Sequence, residues 1–308
     1  MRIVITGGTG MIGRSLAANL APDGHEVVLL SRTPERATDL PTGVRAEKWD
    51  ARTGEGWAHL ADGAGAIVNL AGASIAGEGF FPRRWTPERK ALIRDSRIKA
   101  GHAVVDAISR VGQKPRVVIQ QSGIGYYGPS DDSWLTEDAP PGTDFGARLA
   151  SNEWETATMA VEEMGVRHVI ARTAPVFDER EGALPRMLLP FRLFVGGPMG
   201  SGRQWLSWIH RDDSARATRF LIENEKATGP FNVSSPNPVT YGELAKIIGR
   251  VMRRPSFMPI PGFAMKLAFG EVSNVLLEGQ RATPQRLLDM GFDFRFPTAE
   301  AALRDLLA

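Results

Sequence analysis

Apolar and polar positions alternate along the chain in two rhythms. Short β-branched runs at 2–6 ("RIVIT"), 26–32, 66–72, 116–122 and 167–177 read as buried strands. Between them apolar residues return at helical spacing. Ile12, Leu16 and Leu20 mark a helix after the first strand, and a polar–apolar stretch over 86–110 marks a long one. Thr86, Pro87 and Glu88 suit the cap and first turn of that long helix. Another helix is predicted around 150–164. Strands that alternate with helices predict parallel βαβ units.

From about residue 185 the rhythm changes. Proline and glycine become frequent, strands shorten, and helices are predicted near 212–224, 240–252, 261–278 and 298–307. The chain therefore reads as α/β: a Rossmann-type, doubly wound parallel sheet with a smaller C-terminal α/β lobe. A nucleotide domain over 1–180 is expected, with segments near 205–235 returning to it. The region 181–308 is expected to be mainly a substrate lobe.

The first strand runs into Gly7, Gly8, Gly10 and Gly13. The spacing Gly7-x-x-Gly10-x-x-Gly13, set between a strand and a helix, suits a dinucleotide. Glycine permits a tight turn and close approach of backbone to pyrophosphate, and the helix N-terminus offers unpaired N–H groups. An NAD site usually places a carboxylate at the end of the second strand. Here Ser31 and Arg32 stand there, with Arg36 a turn further on. A hydroxyl and a guanidinium fit a 2′-phosphate, so NADP(H) is the expected cofactor.

Composition narrows the rest. Thirty-seven basic against thirty-five acidic residues leave a net charge of +2, which gives no bulk attraction to nucleic acid or membrane. There are no cysteines, which excludes disulfides and thiolate chemistry. Five scattered histidines lack metal-ligand spacing, so no metal is expected. No apolar run approaches the roughly 18 residues of a membrane span. With a strand pattern starting at Arg2, no targeting segment is expected, and the location expected is cytoplasmic.

"TGGTGMIG", "NLAG" (69–72), a serine after the fifth strand and "WIHRDD" (208–213) resemble the extended short-chain dehydrogenase/reductase superfamily. "RRWTPERKALIRDSR" (83–97), "GIGYYG" (123–128), "LLPFRLFVGGPMGSGRQWLSWIH" (188–210) and "LLEGQRATPQRLLDMGFDFRFP" (276–297) resemble its atypical epimerase-like family, related to nucleoside-diphosphate-sugar epimerases. The last lies in that family's C-terminal domain of unknown function. The resemblance implies a Rossmann fold and NADP(H). It implies that Gly7, Thr9, Gly10, Met11, Ile12 and Gly13 form the phosphate loop and that Arg32 meets the 2′-phosphate. Asp50 would lie near adenine, and Leu70, Ala71 and Gly72 beneath the cofactor ribose. Thr173, Ala174 and Pro175 would lie beside nicotinamide, and Ser122 would be the catalytic serine if one extra residue is allowed in "GIGYYG".

One pair departs from the superfamily. Its members carry Tyr-x-x-x-Lys on the helix after the serine. Aligned on Glu155, those slots hold Ala147 and Ser151. Tyrosine is absent from 128 to 240 and lysine from 115 to 225. Tyr126 and Tyr127 follow Ser122 closely and are candidates for the missing proton donor, or for interface packing. His210 reads mostly as architectural, and Asp212 and Asp213 as helix-capping residues. Arg94 and Arg97, three apart on a helix, either face solvent or point at a phosphate. Trp205 and Trp208 either line a pocket or fill the lobe interface. Two functions are carried forward. One is an NADP(H)-dependent epimerase-like or oxidoreductase enzyme acting on an unidentified small molecule. The other is a non-catalytic NADP(H)-binding redox sensor or interaction protein.

Overall fold

The computed structural model describes residues 1–77 and 79–308. Seven parallel strands form the central sheet: β1 (Arg2–Thr6), β2 (Glu26–Ser31), β3 (Val44–Lys48), β4 (Ala66–Asn69), β5 (Val117–Gly123), β6 (Arg167–Thr173) and β7 (Gly229–Val233). Their order across the sheet is β7-β6-β5-β4-β1-β2-β3. The order reverses between β1 and β4, and the loops above that switch point form the crevice where such folds place ligands.

Alternate residues of each strand serve opposite faces. Ile3 and Ile5 of β1 join a core with α1 (Met11–Leu20), whereas Val4 joins a second core. That second core holds Ala100, Ala103, Val104 and Ala107 of α2 (Pro87–Ser109). Helix α2 starts where its sequence says: the Thr86 side chain accepts a hydrogen bond from the Arg89 N–H, and Pro87 fills the first turn.

The α3 segment (residues 145–164) departs from the expected helix. It opens five residues early because the Asp144 carboxylate caps it, accepting from the Ala147 N–H at 2.7 Å. It widens into a π turn over Ala150–Trp154 and tightens over Thr156–Met164. The run 167–177 is also not one strand. Pro175 has no N–H to give a ladder, and Val176–Phe177 pairs instead with Ile209–His210.

A further core gathers residues from the C-terminal half. Helices α4 (Leu184–Arg192), α6 (Tyr241–Met252) and α7 (Ala299–Leu306) enclose Leu188, Trp208, Leu244, Ile248 and Leu303. Helix α4 escapes the sequence reading because Pro185 and Pro190 interrupt its pattern. Helix α5 (Arg211–Glu223) packs along α1, and β7 completes the main sheet. Among the described residues, no helix is long and apolar enough to cross a membrane, and no acid or histidine cluster could hold a metal ion.

Candidate functional site

Each glycine after β1 solves a different steric problem. Gly7 has φ +63°, and a Cβ there would stand 2.9 Å from the Ala71 Cα. A Cβ on Gly13 would stand 2.4 Å from the Gly8 carbonyl oxygen. Gly10 differs: it has φ −75°, and its Cβ would meet only the Gly7 oxygen, at 3.3 Å. Gly7 and Gly13 hold the turn together, while Gly10 presents an open backbone face. Gly10 is also the N-cap of α1, and no side chain caps that end among the described residues. The first-turn N–H groups of Met11, Ile12 and Gly13 precede the helix's own hydrogen bonds and lie at the positive end of its dipole.

Beside this turn, Ser31 Oγ lies 3.3 Å from Thr9 Oγ1 and accepts from the Thr33 N–H at 3.2 Å. Arg32 and Arg36 are exposed, and their guanidinium groups make no hydrogen bond or ion pair among the described residues. Lys48 Nζ donates to the Arg32 carbonyl, adding a third cation. Asp50 is committed to its own loop, accepting from the Arg52 and Thr53 N–H groups at 2.7 and 2.9 Å. Burial opposes ionisation there, but these donors hold its carboxyl below the ordinary value. Leu70 and Ala71 leave β4 directly against Gly7, and Gly72 stands against the Arg97 side chain.

Ser122 belongs to a buried polar network. Gln120 and Ser122 of β5 face Thr158 and Glu155 of α3, a period-two strand meshing with a near one-turn helical step. Thr158 Oγ1 donates to Gln120 Oε1 at 3.1 Å, and Ser122 Oγ donates to Glu155 Oε1 at 2.7 Å. Arg172 of β6 grips the same carboxylate at both oxygens, at 2.9 and 3.0 Å. Its third nitrogen donates to the Tyr127 hydroxyl at 3.2 Å and to the Glu137 carbonyl at 3.1 Å. Tyr127 in turn donates to Asn232 Oδ1 at 2.7 Å.

Burial alone would lower the Arg172 pKa, but the Glu155 hydrogen bonds and charge outweigh it and raise it. Burial pushes the Tyr127 phenol up to about 12, against the opposing Arg172 charge. Tyr126 is different. Its ring lies 3.4 Å from the Arg172 guanidinium carbon, it is half-buried, and its hydroxyl has no protein partner among the described residues. Of the three sequence candidates, Tyr126 alone has an uncommitted hydroxyl. The network's charged members, Glu155 and Arg172, were not singled out from the sequence as functional. An arginine inside the apolar run "HVIARTAPVF" is the signal that could have found them.

Other candidates fall elsewhere. Thr173 is half-buried at the end of β6, and the Ala174 N–H crosses to the Val233 carbonyl at 3.0 Å just before Pro175. Ala147 is buried. His210 is fully buried and caps α5, its Nδ1 accepting from the Asp212 N–H at 3.1 Å. Asp213 accepts from the Arg295 and Phe296 N–H groups and ties the C-terminal segment down. Trp208 stacks on Phe177 in the second core, while Trp205 donates to Asp132 at 2.7 Å. Arg94 pairs with Glu153 at the surface, at 2.5 Å.

The model of the NAD dependent epimerase/dehydratase family matches residues 3–234, from β1 through β7. The chain belongs to that family. Residues 260–306 match a further domain of unknown function. The epimerase family protein YfhF of Bacillus subtilis is 38% identical over 309 residues, spanning 100% of this chain and 98% of that one. The crystal structure of human epimerase family protein SDR39U1 with NADPH is 33% identical, has a TM-score of 0.85 and covers 99% of both chains. The UDP-glucose 4-epimerase of Thermus thermophilus, solved with NAD, is 19% identical with a TM-score of 0.75 over 99% of this chain and 97% of that one. The last likeness speaks for the fold alone.

Proposed function

We propose that this family member binds NADP(H) across the ends of β1, β2 and β4 and uses it on a hydroxyl or carbonyl group of a small molecule. The observation that carries the reading is the pairing of an open Gly10 face with two guanidinium groups, Arg32 and Arg36, at the end of β2 that are unpaired among the described residues. The first suits the pyrophosphate and the second a 2′-phosphate. The human relative solved with NADPH supports the same choice. Arg32→Ala is expected to cost roughly 1.5–3 kcal/mol of NADPH binding, as for a charged hydrogen bond, and to leave NADH binding unchanged. Calorimetry with both cofactors reads this out. Equal affinities of the unaltered protein for NADPH and NADH would refute it.

A bound nicotinamide would supply hydride transfer at this site. A proton must move at the substrate oxygen as well. Ser122 spends its only proton on Glu155, so toward a substrate it can only accept a hydrogen bond. It suits a substrate hydroxyl that donates to it. Tyr126, with its free hydroxyl, is assigned the proton transfer. Tyr126→Phe is expected to lower turnover by about 10²–10⁴, the usual worth of a positioned acid or base. Tyr127→Phe should act through stability instead. NADPH oxidation is to be followed across ketones, quinones and nucleotide sugars, with Ser122→Ala alongside. Full activity in both Tyr126→Phe and Ser122→Ala would refute the assignment.

A second reading, a sensor that binds NADP(H) without turning it over, is favoured by one observation. The Tyr-x-x-x-Lys slots hold Ala147 and Ser151, and the hydroxyl protons of Ser122 and Tyr127 are already taken. NADPH binding with no oxidation on any substrate would move the assignment to that reading.

A further inference from the structure

Helix α2 carries a buried arginine with no acid beside it among the described residues. Arg97 is 5% exposed. Its Nη1 donates to the Ala73 and Ile93 carbonyls at 3.0 and 2.8 Å. Its guanidinium carbon lies 4.5 Å from the centre of the Trp154 ring. A guanidinium has five N–H donors and no acceptor. Here the buried Nε has no partner, and Nη2 makes no hydrogen bond among the described residues. No carboxylate among them pairs with it either.

A neighbouring charge makes matters worse. Burial and then the Arg89 cation push Arg97 down to about 10. Arg89 also bonds the same turn, donating to the Ser74 carbonyl, and its own buried Nε is without a partner. Holding a turn by its carbonyls needs no such burial. Arg84 holds the Leu267 and Ala268 carbonyls from an exposed position. A buried cation without an opposite charge is costly to hold. Such a group is explained when a ligand brings the acceptors.

The position says which ligand. A Cβ on Gly72 would stand 3.1 Å from the Arg97 guanidinium carbon, so the missing side chain admits the arginine to this loop. The preceding residue, Ala71, is the one that abuts Gly7. Arg97 therefore lies behind the loop that backs the glycine turn, on the α2–α3 side of the sheet and away from Arg32 at the β2 end. Resting on the NADP(H) reading above, we infer that Arg97 binds the nicotinamide-mononucleotide half of the dinucleotide, whose ribose hydroxyls and phosphate supply the missing acceptors. The cation for that half then comes from α2, since α3 has no lysine and its one arginine, Arg148, is exposed.

The test compares two probes by calorimetry: NADPH, and 2′,5′-ADP, which keeps the adenine side and its 2′-phosphate but lacks the nicotinamide ribose. Arg97→Met is expected to weaken NADPH roughly ten- to hundred-fold, as loss of charged hydrogen bonds does. It should leave 2′,5′-ADP unchanged. Arg97→Lys should retain part of the NADPH affinity. The ligand-free Arg97→Met protein should melt at or above the temperature of the unaltered protein, because an uncompensated charge has gone. Unchanged NADPH affinity in Arg97→Met overturns the inference, and so does equal weakening of both probes with a lowered melting temperature, the mark of a structural pin. If Arg97→Met does not fold, the same NADPH to 2′,5′-ADP ratio in Arg97→Lys decides: a ratio equal to the unaltered protein's overturns the inference. An unaltered protein that binds neither probe fails the NADP(H) reading itself, and this inference with it. Binding of both probes with indifference to residue 97 overturns this inference alone.

Discussion

Arg172→Met is expected to destabilise the protein by about 3–5 kcal/mol, the usual cost of removing one partner of a buried ion pair. The Glu155 carboxylate would keep only the Ser122 hydroxyl, and Tyr127 would lose its guanidinium neighbour. Both Arg172 and Glu155 are nearly fully buried, so water cannot replace what is lost. Adding Glu155→Gln removes the orphaned charge and should return part of the loss. Urea unfolding of the two single variants and the double variant gives the coupling. A single-variant loss below about 1 kcal/mol, the range of exposed pairs, would show that the pair is hydrated and carries little. The result also bears on chemistry, because Arg172 underlies the Tyr126 ring and shares the carboxylate that orients Ser122.

Why that network escaped a reading of the chain follows from its construction. It joins β5, α3, β6, β7, the turn at Tyr127 and the loop at Glu137. Its partners lie between 17 and 105 residues apart in sequence. No local pattern records such a meeting. Gly7, Gly10 and Gly13 were legible because their constraint is local: a turn, a cap and a helix in one short segment. Arg32 was legible because its place at the end of β2 fixes what it can meet. The alternation of strands and helices gave the doubly wound class, but not the start of α3. Asp144 announces that start, yet Gly146 two residues later obscures it. Arg94 and Arg97 show the same limit. Spacing puts them on one side of α2, whereas the structure gives one to a surface pair and buries the other.

Gly10→Asp should separate binding from folding. The residue has φ −75° and ψ 169°, a conformation open to any L-residue, and its Cβ meets only the Gly7 oxygen. It is also the N-cap of α1, where aspartate is among the favoured residues. The variant is therefore expected to melt at or slightly above the temperature of the unaltered protein. Its carboxylate, however, would stand where the pyrophosphate belongs. Two unit charges 4 Å apart repel by about 4 kcal/mol under the screening typical of a protein surface. NADPH affinity should thus fall by more than a hundredfold. Gly10→Asn has nearly the same shape and caps as well but carries no charge, so it should lose much less. Gly13→Ala gives the opposite pattern. Its methyl group would lie 2.4 Å from the Gly8 carbonyl oxygen, and the turn itself should fail, with a lowered melting temperature. Calorimetry with NADPH beside thermal unfolding distinguishes the three. An Asp variant that binds NADPH as tightly as the unaltered protein would remove the pyrophosphate from this turn, and the cofactor assignment with it.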